Sequence, residues 1–344
     1  MSGRRTYSYK VAGLTFTVVA PDCYDVEGLL PSFAAFRVHP RGTISSTSSV
    51  TLDSNSVTGE NVSASDALFR FTIQTEAIEI PEDAKVAEVD DNDMGHTRLS
   101  RTTDGSYCLE LWYDHSGDRQ DIESGNGALA NGNPANGGTL PRPGIFIANA
   151  GFSEITASIA PDAPDCGLIL TSMLRIAFAQ AVLTRDGISI HASAVAADGK
   201  AWLFLGKSGT GKSTHARLWL RNIPGSRLLN DDNPAVRLID GKPVAFGTPW
   251  SGKTPCYRNE SYPIGGIVRL VQSDADIFTE KNEVAAFVAL LPSCSVVHSD
   301  SGLQSRLCDT LTRLIELVPV GELKCLPDNE SAIICYNKLK TLIK

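Results

Sequence analysis

The chain has 344 residues, 42% of them hydrophobic and 20% charged, with a formal net charge of −8 at pH 7. That length buries a sizeable core without metal or disulfide staples, and the composition excludes collagen-like repetition and wholesale disorder. The charge is uneven: residues 1–165 hold 11 Lys/Arg against 23 Asp/Glu, and residues 166–344 hold 20 against 16, so nucleic acid is not an obvious partner while the mildly basic second part suits a small polyanion.

From the N-terminus, MSGRRTYSYKVAGL lacks an apolar run behind its arginines and does not read as a leader. Phe69, Phe71 and Ile73 alternate with Arg70, Thr72 and Gln74, and Tyr107, Leu109, Leu111 and Tyr113 alternate with Cys108, Glu110 and Trp112. This period predicts half-buried strands of an antiparallel sheet. Between them, the Ser/Thr-rich segment 43–66 and the segment 124–144, with NGNPANGG and PRPG, read as loops. Asp90, Asp91 and Asp93 read as an acidic surface turn, with no EF-hand continuation.

After Pro161-Asp162-Ala163-Pro164 the texture changes. Residues 168–184 predict a helix, and 168–183 is the longest apolar stretch, interrupted by Arg175 and Gln180. It reads as a core helix rather than a membrane span. A boundary near residue 165 follows, with a mainly β accessory domain over 1–165 and a mixed α/β domain over 166–344. In the latter the pattern predicts strands at 188–195, 201–205, 227–230 and 321–325, and helices at 212–222, 306–318 and 331–343. Eight cysteines without CxxC or metal-finger spacing read as reduced thiols of a soluble, cytoplasmic protein.

The chemistry concentrates at Gly206-Lys207-Ser208-Gly209-Thr210-Gly211-Lys212-Ser213, a full GxxxxGK[ST] match behind the apolar strand AWLFL and ahead of the helix-compatible THARLWLRN. Glycines let successive N–H groups turn toward phosphate oxygens, Lys212 reaches the β/γ-phosphates, and Ser213 offers a hydroxyl to Mg²⁺. Asp231 and Asp232 follow after one helix, the Pro224-Gly225 turn and one short strand. If that strand neighbours 201–205, both carboxylates face the γ-phosphate, one holding Mg²⁺ and the other taking the acceptor's proton; the lesser alternative is a solvated turn, since Asp-Asp-Asn-Pro is good turn chemistry. A tight Asp198-Gly199 hairpin pairing Ala197 with Lys200 sets His191 opposite Gly206. His215 reads as helix surface. Lys253, Arg258 and Glu260 lie in a polar Gly/Pro-punctuated stretch, where the two cations either meet developing phosphoryl charge or are simply solvated.

HASA at 191–194, GKSGTGKST at 206–214 and LLNDD at 228–232 resemble, in order and spacing, the HPr kinase/phosphorylase and phosphoenolpyruvate carboxykinase superfamily. The likeness covers about residues 166–260. GTPWSGK and YPIGGIVRLVQ also look like HPr-kinase-related proteins found beside peptide-modification systems. The resemblance implies an α/β fold with a P-loop domain on a mixed sheet, behind the N-terminal mainly antiparallel β domain that the alternation predicts. It implies ATP bound by residues 206–214 (Gly206, Lys207, Ser208, Gly209, Thr210, Gly211, Lys212, Ser213 and Thr214), Mg²⁺ held by Ser213 and Asp232, and catalysis by Asp231, Asp232, His191 and Lys212. The chain departs from the HPr kinases at Lys207, where they usually carry an acidic residue, and lacks an evident glutamate signature after the Asp pair.

The expected function is Mg·ATP-dependent phosphorylation of a hydroxyl, foremost a serine in a protein or peptide acceptor, with room for a homo-oligomer. A small-molecule hydroxyl kinase, a non-catalytic nucleotide-gated binding protein and a carboxykinase are the alternatives.

Overall fold

The computed structural model describes residues 3–39, 67–92, 95–113 and 143–343. Alternation builds its first sheet: Tyr7, Tyr9 and Val11 turn inward on β1 (Arg4–Val11), Phe71 and Ile73 on β4 (Arg70–Gln74), and Tyr107, Leu109 and Leu111 on β7 (Tyr107–Trp112). With β2 (Leu14–Pro21), β3 (Arg37–Val38), β5 (Lys85–Asn92), β6 (Gly95–Arg101), β8 (Gly144–Ala148) and β9 (Glu154–Ser158), the order is β3-β1-β2-β4-β9-β8-β7-β6-β5. One helical turn, α1 (Val26–Leu29), and a 3-10 segment, Pro31–Phe36, follow β2.

This sheet is mixed rather than purely antiparallel. β4 runs parallel to both β2 and β9, which a long connection on each side of it allows and a hairpin would not. Asp90 and Asp91 sit exposed on the edge strand β5 rather than in a turn. Asp93, the segment 43–66 and most of 124–144 lie outside the described residues.

The second half begins with α2 (Cys166–Ala181), extended by a 3-10 turn at Val182–Arg185. Cys166–Arg185 has the length and apolarity to cross a membrane, yet most of it is buried in the protein. Its two polar interruptions have tertiary partners: Gln180 accepts from Val297 N–H at 2.9 Å, and Arg175 meets Asp232. The second sheet runs β10 (Gly187–Ser189), β14 (Ala235–Ile239), β15 (Lys242–Phe246), β16 (Ser261–Gln272), β12 (Lys200–Leu205), β11 (Ala192–Ala197), β13 (Arg227–Asn230). β16 also pairs in parallel with β18 (Val320–Cys325), which pairs with β17 (Ile277–Glu280). Around it lie α3 (Lys212–Asn222), α4 (Glu283–Leu290), α5 (Ser301–Leu317) and α6 (Asn329–Leu342).

The strand expected over 188–195 is divided in two: β10 pairs with β14, β11 pairs with β12 and β13, and between them His191 N–H donates to Ser293 O at 2.7 Å. α5 starts at Ser301, because the Asp300 side chain accepts from Leu303 N–H at 2.8 Å and caps it. β16 escaped the pattern reading through its interior Gly265 and Gly266. Those glycines admit neighbours: a Cβ on them would stand 2.9 Å from the Trp202 ring and from Leu339 respectively.

One apolar core includes Tyr9, Phe33 and Phe146 of the first half together with Met173, Leu203 and Val320 of the second. α2 lies against β8 so closely that a Cβ on Gly144 would come within 2.8 Å of Met173. A smaller core, with Trp202, Phe204, Trp219 and Leu339, lies beneath α3 and α6.

Candidate active site

β12 is buried from Ala201 to Leu205 and delivers the chain into the loop that ends at α3. Gly209 and Gly211 take φ of 80° and 106°, with open space where a Cβ would stand. The left-handed backbone, not crowding, requires glycine there. Thr210 N–H and Oγ1 donate to Lys207 O at 3.1 and 2.7 Å, and Gln272 at the end of β16 donates to Gly209 O at 3.3 Å. Gly211 caps α3 without a side chain, so the first-turn N–H groups remain available to an anion.

Lys212 is buried, and its Nζ donates to Gly206 O at 2.9 Å and Lys207 O at 3.3 Å. Burial lowers its pKa, while the Asp232 and Asp231 charges work against that shift. Ser213 and Thr214 are half-buried, and Lys207 and Ser208 are exposed.

The acidic pair reaches this loop by a different pairing from the one supposed. β13 does not neighbour β12; β11 lies between them, antiparallel to both. β13 therefore runs in the direction of β12, and its C-terminal end comes to the same sheet edge as the loop. The β11–β12 hairpin keeps the register set by its tight turn, Ala197↔Lys200 through Ala192↔Leu205, so His191 lies one residue beyond the last pair. Its Nδ1 is 3.1 Å from Asp232 Oδ1.

The two carboxylates have different surroundings. Asp231 is buried; its Oδ1 accepts from Ser193 Oγ at 2.9 Å, whereas Oδ2 is buried with no hydrogen-bond partner. Such an orphaned oxygen costs free energy unless a cation or donor meets it. Asp232 has His191 on one oxygen and Arg175 Nη1 3.8 Å from the other. Burial pushes its carboxyl pKa up, but His191, Arg175 and Lys212 outweigh this and hold it below the ordinary value. Of the pair's carboxylate oxygens, Asp231 Oδ2 is thus the one buried without a partner; the sequence reading pairs Asp232 with Ser213 for the metal. No cluster of three or more His, Cys, Asp or Glu suited to a metal occurs among the described residues.

Three contributors were missed or misread. Arg175, the single charged residue of α2, was seen only as a break in an apolar run. Asn230 is buried; its Nδ2 donates to Thr248 Oγ1 at 3.1 Å and Trp250 O at 3.0 Å, while Oδ1 accepts from Asp232 N–H at 2.9 Å and Asn233 N–H at 2.8 Å. It ties the acidic turn to the 248–250 loop, and its position just before the Asp pair was the available signal. His215 is not on the helix surface: it packs edge-on to Phe204, accepts from Trp219 Nε1 at 3.1 Å, and burial lowers its pKa to about 4. Arg258 pairs with Glu260, as does Arg227 at the far end of β13 from the acidic pair. Lys253 is exposed beside Gly252, which abuts the acidic turn closely enough that a Cβ would stand 3.3 Å from Asp232 Cβ.

No family model matches the chain. No curated protein matches it either. Among solved structures it is similar to the HPr(Ser) kinase/phosphatase from Coxiella burnetii, at 12% identity over 44% of this chain and 88% of that one, with a TM-score of 0.26. A likeness at that score carries no argument, and the functional reading rests on the site itself.

Proposed function

We propose that the chain is a Mg·ATP-dependent kinase that phosphorylates a hydroxyl, foremost a serine of a protein or peptide. The observation that carries this reading is the convergence on one sheet edge of a complete GxxxxGKS loop, the Asp231–Asp232 pair and His191. The loop N–H groups and the α3 N-terminus would bind the triphosphate, and Lys212 would exchange its loop carbonyls for phosphate oxygens. Ser213 and Asp231 would hold magnesium, which supplies charge neutralisation at the β- and γ-phosphates when bound.

His191 Nδ1–H donates to Asp232, which leaves Nε2 as the ring's proton acceptor, and the imidazole is 41% exposed and open to an incoming hydroxyl. Asp232 fixes the ring and stabilises the imidazolium as the acceptor proton is taken.

Lys212→Ala should lower ATP affinity at least tenfold in calorimetry, because Lys212 is the buried cation held inside the loop, whereas Lys207 is exposed. Asp231→Asn should weaken Mg·ATP and lower turnover together, whereas His191→Gln should lower turnover with nucleotide affinity within a few fold. Wild-type turnover in both variants overturns the roles given to Asp231 and His191, and a wild-type chain that binds Mg·ATP without transferring or hydrolysing it leaves a nucleotide-gated binding protein.

A further inference from the structure

Arg175 is a lone charge in a helix that otherwise reads CGLILTSML and IAFAQA, with its side chain only 17% exposed. Burial works against its charge, and the opposing influences are Asp232 first, then Tyr113 and Asp90. A guanidinium cannot give up its proton in a protein, so its retention here needs a compensating anion. That anion is the Asp232 oxygen not used by His191.

The helix holding it is pinned on both sides. Ser172 Oγ and Tyr113 Oη, one residue past β7, are 2.8 Å apart; Thr171 O accepts from Trp250 Nε1 at 3.1 Å. Trp250 lies in the loop that touches the acidic turn, and its ring packs against Phe33 and Phe178 at 5.6 and 5.1 Å. Arg175 is therefore presented to Asp232 by a rigid element, which is what preorganisation of a reactive group requires.

We propose that Arg175 is a positioning residue for phosphoryl transfer, holding Asp232 so that its other oxygen aligns the His191 ring. This rests on the kinase reading. In this role the guanidinium acts through Asp232, whose Oδ2 is 3.8 Å from its Nη1. With Arg175 absent, the Asp232 carboxylate can rotate away from His191 Nδ1, and the ring loses the orientation that directs Nε2 at the acceptor.

The test uses the full chain and ATP, with hydrolysis or transfer to a serine peptide as readout. Arg175→Met should lower kcat at least tenfold with ATP affinity within threefold, and Arg175→Lys should restore part of the loss. In an Asp232→Asn background, Arg175→Met should add less than twofold, since the contact is already gone. An unchanged kcat in a folded Arg175→Met chain overturns the inference. So does a full additional loss in the Asp232→Asn background, or a thermal midpoint that falls equally in the Met and Lys variants while activity is recovered in neither. A wild-type chain with no Mg-dependent ATP binding or hydrolysis is a different failure: it overturns the kinase reading, and the inference with it.

Discussion

At His215 the sequence and the structure part company over a single imidazole. Two residues past Ser213 a helix can turn a side chain in either direction, and only the packing of Phe204 and Trp219 decides that this one is buried. The folded ring is held neutral, its pKa lowered by burial from 6.5 to about 4. Above about pH 6.5 neither state carries the proton. As pH falls below that, the unfolded chain takes it up and the folded chain does not until about pH 4. Stability is therefore lost across this window, by up to about 3 kcal/mol for a shift of this size. Urea unfolding at pH 7 and pH 5 should show that loss, and His215→Leu should shrink the difference between the two midpoints. An equal difference in the variant would mean that other groups carry the acid sensitivity.

Among the elements, the turn after β13 is where most of the site's geometry is made. Four short residues of strand deliver Asn230, and its buried amide satisfies two backbone N–H groups of the acidic turn while donating to the 248–250 loop. Thr248 Oγ1 closes the arrangement by donating to Asn233 O at 2.7 Å. Removing the amide leaves several buried polar groups without partners, each costing about 1–3 kcal/mol. Asn230→Ala should thus lower unfolding free energy by about 3 kcal/mol in denaturant titration and reduce Mg·ATP affinity, because Asp231 and Asp232 lose their fixed turn. Asn230→Asp keeps the accepting oxygen and should lose less nucleotide affinity than the alanine variant. Full nucleotide affinity in a folded Asn230→Ala chain would show that the turn holds its shape without the amide.

Over the whole molecule, the two halves proposed as domains meet through apolar packing and hydrogen bonds rather than through a hinge alone. α2 packs on β8, Phe33 meets Trp250 edge-on, Arg237 donates to Ala12 O at 2.9 Å, and Tyr107 donates to Asp300, the cap of α5. A protease site introduced between Ile159 and Asp165 should yield fragments that elute together on gel filtration and separate only in denaturant. Residues 166–344 produced alone should bind a hydrophobic dye, since Ile169, Met173 and Trp250 would lose their cover. Fragments that elute separately, each with a cooperative melt, would show the shared core to be dispensable.

What the sequence alone determined is local. The loop at 206–213, the strand before it, the helix after it and the hairpin register that brings His191 to the loop depend on glycine conformations, short-range periodicity and a two-residue turn. These are encoded within a few residues of where they act. The partner of β13 is a choice among strands, and local pattern does not make it; β11 rather than β12 stands beside it. The contact between Arg175 and Asp232, the unpartnered oxygen of Asp231 and the burial of His215 belong to the tertiary structure. Each depends on surfaces brought together from distant parts of the chain, where the shape and polarity of the neighbour, not the residue's own pattern, decide whether a charge is paired, orphaned or neutral.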